Sequence, residues 1–268
     1  MEKFDHQPKV ERDLVKNKLS FVEAVEAGGI VEIETEFDEA AQRSLATKLE
    51  DTMIFVLGEM HGVKENADII YTLFKKFGFR NLALEWEPSL HKKVEEFLAT
   101  GIVDFDSIKH SPDGRITAGH FALLKKLKDE GLLDTFICFD QGSGLDDWDE
   151  RDANMAKNIL ASLSSTPTLV VSGNLHTEMK PITFQEEEGV EEEHHPMGEI
   201  IKGQIPSVPS GRIKYLAGEF HNYGTKEFEK KSADANQSAA KFYRSEDGLY
   251  IFELPRAHPA VVPNPSEI

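Results

Sequence analysis

Cysteine is almost absent: the chain has one, Cys138, inside the apolar run Phe136-Ile137-Cys138-Phe139. A single thiol excludes an intramolecular disulfide and a thiolate metal cluster. In that run it reads as a small buried hydrophobe rather than a nucleophile. Long hydrophobic stretches are missing too, and nothing approaches the roughly 18 apolar residues of a membrane span. The opening Met1-Glu2-Lys3-Phe4-Asp5 has no apolar signal-peptide core, so a reducing cytoplasm is the expected compartment. Positive charge is scarce, with 30 basic residues against 48 acidic ones and a formal net charge of -18. A surface that negative repels phosphodiester backbones and anionic headgroups, so neither nucleic acid nor membrane is an expected partner. Also lacking are a G-x-S-x-G elbow, a P-loop, a G-x-G-x-x-G turn after a strand and an H-E-x-x-H helix. Those absences disfavour a serine hydrolase, a P-loop phosphohydrolase, a dinucleotide enzyme and a zincin.

What is present is ordinary globular material: 268 residues, 40% hydrophobic and 29% charged. That length suits one large α/β domain with a substantial core. Within it, residues 1–50 form an N-terminal helical extension, 51–221 the core sheet, and 222–268 a C-terminal loop and edge strand. In the extension, Val22, Val25, Ala41, Leu45 and Leu49 make narrow apolar stripes suited to covering a sheet edge. Met53–Leu57 is a continuous apolar run, as for a strand buried on both faces. Ile69, Ile70, Leu73, Phe74 and Phe77 have helical spacing, and Gly78 stands where such a helix stops. Strands follow at Asn81–Trp86, Thr135–Asp140, Thr168–Ser172, Ile213–Leu216 and, at a sheet edge, Leu249–Leu254. Helices are expected over Leu90–Leu98, Phe121–Leu133 and Arg151–Leu163. This alternation predicts an α/β fold, a mainly parallel sheet with helices on both faces. The acidic Gln185–His195 and the polar Gly224–Lys241 read as surface loops.

The strand endings carry the chemistry. Strands of a parallel sheet end on one edge, where ligands bind. The first ends in Gly58-Glu59-Met60-His61-Gly62 and the second in Glu85-Trp86-Glu87. The others end in Asp140-Gln141-Gly142, Gly173-Asn174-Leu175-His176 and Gly218-Glu219-Phe220-His221. Five such endings place carboxylates and imidazoles along one crevice. An imidazole oriented by a carboxylate exchanges protons near neutral pH, and the same groups can hold a divalent cation. Each residue alone also has a structural reading. Glu59 and Glu85 suit helix N-termini, a lone His61 or His176 is commonly a bonded core histidine, and structural roles are expected for Asp140 and His221. Asp152 reads as a routine residue at a helix start, and Arg151 beside it as a structural residue or an anchor for an anion or carbonyl oxygen.

Taken together, Phe55-Val56-Leu57-Gly58-Glu59-Met60-His61-Gly62 followed by Leu82-Ala83-Leu84-Glu85 resembles the opening of the erythromycin esterase-like proteins. That superfamily includes the ChaN-type haem-binding lipoproteins and the Tiki metalloproteases. Arg151-Asp152-Ala153-Asn154-Met155-Ala156, Gly173-Asn174-Leu175-His176 and Pro196-Met197-Gly198 are similar to its later motifs, in order, over roughly residues 40–220. The resemblance implies a Rossmann-like sheet and a site at Glu59, His61, Glu85, Arg151 and His176. The chain is too short for much of the helical insertion that erythromycin esterases typically carry. It also lacks the export signal and lipidated cysteine of ChaN-type proteins and the membrane anchor of Tiki proteins.

The expected function is hydrolysis of an ester, amide or lactone bond in a small molecule, with no cofactor required. His61 would be the base, Glu59 or Glu85 its orienting group, His176 a second acid–base group and Arg151 the stabiliser of developing charge. The alternatives are a ligand-binding protein that holds haem, with Tyr71, Tyr215 and Tyr223 as possible ligands, and a hydrolase with a divalent metal among His61, Glu85 and His176. Oligomeric state has no signature in the sequence.

Overall fold

The computed structural model describes residues 21–102, 112–141, 147–185, 191–228 and 239–263. Its centre is β2 (Ile54–Glu59), in which every residue is buried. Alternation along this strand assigns its side chains to two cores. Phe55 and Leu57 pack with Leu45 of α1 (Glu39–Thr52) and with Ile70, Leu73 and Phe74 of α2 (Glu65–Phe77). Ile54 and Val56 pack with Met155 and Ile159 of α5 (Trp148–Ser162), and with Met197 and Ile201 of α6 (Met197–Gln204). Apolar cover on both faces is why the run is continuous rather than alternating. As expected, α2 stops at Gly78, which takes the left-handed conformation at φ +69°.

The remaining strands are β1 (Thr35–Phe37), β3 (Asn81–Leu84), β4 (Thr135–Cys138), β5 (Thr168–Gly173), β8 (Ser210–Tyr215), β11 (Ala240–Arg244) and β12 (Tyr250–Leu254). With β2 they form an eight-stranded sheet in the order β1-β11-β12-β8-β2-β5-β3-β4. All pairs from β12 to β4 are parallel, whereas β11 runs antiparallel to β12 and parallel to β1. The sheet is therefore mostly parallel with helices on both faces, a Rossmann-like α/β fold.

Two placements differ from expectation. Strand β12 is not an edge: it lies between β8 and β11, and the edges are β1 and β4. Its five residues are all buried, which an interior strand needs and an edge strand does not. Of the expected loop Gln185–His195, Glu191–His194 is a strand, β7, paired antiparallel with β6 (Ile182–Gln185), and residues 186–190 lie outside the described part. Glu192 and Glu193 stay exposed, while His194 is buried. Ionised glutamates kept in water carry no desolvation cost, so an acidic strand on such a ribbon is tolerated. Of Gly224–Lys241, Thr225–Glu227 is β10, paired with β9 (Glu219–His221), and residues 229–238 lie outside the described part.

Chain order positions the site. From β2 the chain moves outward through α2 to β3 and then to β4. It returns through α5 to β5, which inserts between β2 and β3. The carboxyl ends of β2, β5, β3 and β4 thus stand side by side where the winding reverses, the usual place for a crevice in an open α/β sheet.

Candidate active site

Glu59 is the last residue of β2, and the chain turns at once so that His61 reaches back over the end of β5. Two glycines make the turn possible. Gly62 has φ +73°, and a Cβ there would overlap the carbonyl oxygen of His221. Gly58 lets Asn174 and Thr177 approach so closely that any Cβ would overlap their side-chain oxygens.

His61 lies between two carboxylates. Its Nδ1 is 3.0 Å from Glu59 Oε1 and its Nε2 is 3.4 Å from Glu85 Oε2, with 17% of the side chain exposed. Burial alone would push the ring below its ordinary value. The charge of Glu85 and the hydrogen bond with Glu59 overcome that and raise it to about 10. At neutral pH the ring is therefore an imidazolium that presents N–H groups to both acids. An imidazolium donates protons rather than accepting them.

Glu85, just beyond β3, is the hub. Its Oε2 accepts from Ser172 Oγ at 2.6 Å and from the Gly173 amide at 2.8 Å. Its Oε1 accepts from Arg151 Nη2 at 2.7 Å and lies 3.3 Å from Arg115 Nη1 and 3.7 Å from His176 Nε2. Burial by itself would raise this carboxyl. The neighbouring His176 and His61, with Arg115, outweigh burial and hold it well below the usual carboxylate range. Asp140, beyond the end of β4, ties both guanidinium groups together. It accepts from Arg151 Nε at 3.0 Å, Arg151 Nη2 at 2.8 Å and Arg115 Nη1 at 2.8 Å.

His176 completes the group. Its Nδ1 is 2.8 and 3.0 Å from the two oxygens of Asp152, and its Nε2 is 3.2 Å from Arg151 Nη1. A guanidinium can only donate, so Nε2 carries the lone pair and Nδ1–H donates to Asp152. That is the tautomer of a base backed by a carboxylate. On the far side of Glu59, His120 Nε2 lies 4.0 Å from Glu59 Oε2, and neither atom has a hydrogen-bond partner among the described residues. Burial pushes the His120 imidazole below its ordinary value.

The structure thus gathers Glu59, His61, Glu85, Arg151 and His176 into one cluster. Asp140, for which a structural role is expected, is bonded to Arg115 and Arg151. His221 enters through its backbone: its amide donates to the Gly62 carbonyl at 2.9 Å, and its own carbonyl lies against Gly62. Asp152 differs from expectation. The helix starts earlier, at Trp148, with Asp147 as its N-cap, and Asp152 is fully buried between two histidines, its oxygens 2.8 Å from His176 Nδ1 and 2.9 Å from His194 Nε2. Arg115, His120 and His194 were missed. Arg115 had a signal, because Glu59, Glu85 and Asp140 in one crevice outnumber Arg151 and call for a second cation. Cys138 is half-buried, and burial pushes its thiol up to about 12.

A divalent cation does not fit this donor set. The guanidinium of Arg151 occupies the space between Glu85 and His176, in contact with both. Among the described residues no group of three or more His, Cys, Asp or Glu side chains has the arrangement of a metal site. Haem fits no better. Tyr71 is committed to Glu130 and Tyr215 to Asn66, the Nε2 of His176 faces Arg151, and His61 is held between Glu59 and Glu85. Of the named tyrosines only Tyr223 is largely exposed. No helix among the described residues is long and apolar enough to cross a membrane.

Fold and cluster together define an α/β protein with a buried cluster of histidines, carboxylates and arginines at the strand ends of a mostly parallel sheet. Among solved structures, the chain is similar to a succinoglycan biosynthesis protein with TM-score 0.59 and 11% identity, over 91% of this chain and 98% of that one. It is also similar to a Bacillus cereus protein with TM-score 0.56 and 11% identity, over 91% and 99% of the two chains. A mutant erythromycin esterase in its open conformation aligns with TM-score 0.57 and 11% identity, over 83% of this chain and 95% of the other. At that identity the likeness shows a common fold, the one expected from the motifs. No protein-family model matches the chain, and no curated protein matches it.

Proposed function

We propose that the chain hydrolyses an ester, amide or lactone bond of a small molecule, in the manner of an erythromycin esterase and without a metal or haem. One observation carries this reading: Glu85 lies between two histidines whose partners hold them in complementary states. His61 is kept charged by Glu59 and Glu85, while His176 has a lone pair on Nε2 and Asp152 behind it. Pairs of titratable groups pushed in opposite directions are how one site supplies both acid and base.

In this mechanism Arg151 Nη1 turns from His176 Nε2 to the substrate carbonyl oxygen, the freed Nε2 takes a proton from water, and the water oxygen forms its bond to the carbonyl carbon. Arg151 Nη1, the guanidinium nitrogen not bonded to a carboxylate, faces the charge developing on the carbonyl oxygen. As the bond to the leaving group breaks, His61 supplies its proton. The roles first expected for the two histidines are exchanged. The fold likeness to an erythromycin esterase agrees with this chemistry, and the substrate stays at the level of a small neutral or cationic ester, amide or lactone.

The test is a panel of simple esters, amides and lactones, assayed with metal-free protein and with excess chelator. Turnover of one class that persists with chelator and disappears in His176→Gln supports the reading. Tight haem binding with no turnover anywhere in the panel would replace it with the ligand-binding alternative.

A further inference from the structure

The buried side of His176 leads away from the crevice to solvent. Asp152 Oδ2 is 2.9 Å from His194 Nε2, and His194 Nδ1 is 2.5 Å from Asp149 Oδ1. Asp152 has no exposure, the His194 side chain has 5% and that of Asp149 has 46%. Each link lies within hydrogen-bond distance, from His176 to a carboxylate in contact with water. The groups facing His194 are Asp149 and Asp152 of α5 and the rings of Trp148 and Phe184, at centroid distances of 5.6 and 6.1 Å. The neighbouring His195 turns outward, with its Nδ1 2.9 Å from Glu199. The core packing of Met155 and Ile159 requires no such chain, and a histidine with a carboxylate at each ring nitrogen is suited to receiving a proton on one side and releasing one on the other.

We propose that His194 is a positioning residue that connects the His176–Asp152 pair to bulk solvent, a role that rests on His176 being the base. A substrate in the crevice covers the Nε2 face of His176, which leaves this chain as the outlet. His194 starts with its proton on Nδ1, toward Asp149, and its Nε2 open toward Asp152: the Nδ1 proton of His176 passes to Asp152 Oδ2, from that oxygen to His194 Nε2, and the Nδ1 proton of His194 passes to Asp149 and water. No bond between heavy atoms changes. After product leaves, the Nε2 proton of His176 passes to water while a proton returns from solvent through Asp149, His194 and Asp152 to Nδ1, which restores both starting tautomers.

The experiment uses the full chain. His194→Gln keeps a polar side chain toward Asp152 but cannot relay. It is expected to lower kcat about tenfold with KM unchanged, less than the 10²–10⁴-fold typical of the acid–base group itself. Smaller still, His194→Ala should show the same loss and regain activity with added imidazole. Asp149→Asn, altered only at the exposed end, should shift kcat in the same direction. A readout without substrate is exchange of the His176 Nδ1 proton with solvent, followed by NMR, which His194→Gln should slow at least severalfold. Wild-type kcat in His194→Gln overturns the relay, as does unchanged exchange or a loss that imidazole cannot restore. If no substrate is found the hydrolase reading fails by itself, and the exchange rate still decides the relay.

Discussion

Arg151→Met is expected to cost about 3–5 kcal/mol of folding stability, the scale for stripping one partner from buried ion pairs. The guanidinium donates to Glu85 and twice to Asp140, and those carboxylates are 3% and 1% exposed. Methionine fills similar volume but takes from both acids a guanidinium that Arg115 does not replace. Denaturant midpoints at pH 7 give the number. The deficit should shrink in acid. A carboxyl held below its ordinary value contributes stability that is present above the unfolded-state value and lost as pH falls through the lower folded-state value. Glu85 is such a group and accepts from Arg151 Nη2 at 2.7 Å, so removing that donor erases part of what acid would remove anyway. Activity should fall about 10²–10³-fold, as for loss of one donor to a developing oxyanion. Arg151→Lys should rescue little, because one ammonium cannot span Asp140, Glu85 and His176. A Met variant as stable as the parent would mean that the buried carboxylates are neutral.

His61→Asn should lower kcat by about 10²–10⁴-fold, the range for losing a proton-transfer group. The parent's kcat/KM should hold through neutral pH and decline as pH rises through about 10, where His61 gives up its proton. Stability should follow the same group. A ring raised above its ordinary value of 6.5 contributes stability that is complete below that value and lost as pH rises through about 10. The Asn variant lacks this contribution, so the gap between parent and variant should be wide at pH 6 and nearly closed at pH 10. A gap independent of pH would show that the ring is not charged in the folded protein.

Much of this was legible in the sequence because the strands announce themselves. Ile54–Leu57, Leu82–Leu84 and Leu169–Val171 are apolar without interruption, and each leads directly into polar residues, so Glu59, Glu85 and His176 could be placed on one edge. The turn at Gly62 was visible as a glycine though not as a close approach to His221. Residues that act from helices and loops were hidden. His120 sits in the first turn of α4 (Ala118–Asp129) ahead of Phe121 and Leu123, where its spacing matches the buried face. His194 was lost in an acidic run whose composition says surface, because only pairing with Ile182 turns it inward. The charge of His61 is a property of two carboxylates 26 residues apart in the chain (Glu59 and Glu85), and no local pattern reports their convergence.

The most direct measurement is the protonation of His61 in the folded protein at pH 7.5, read from imidazole ¹⁵N NMR signals that vanish in His61→Asn. Two protonated nitrogens are predicted, persisting until pH approaches about 10. One unprotonated, pyridine-like nitrogen at pH 7.5 would contradict the account and return the role of base to His61.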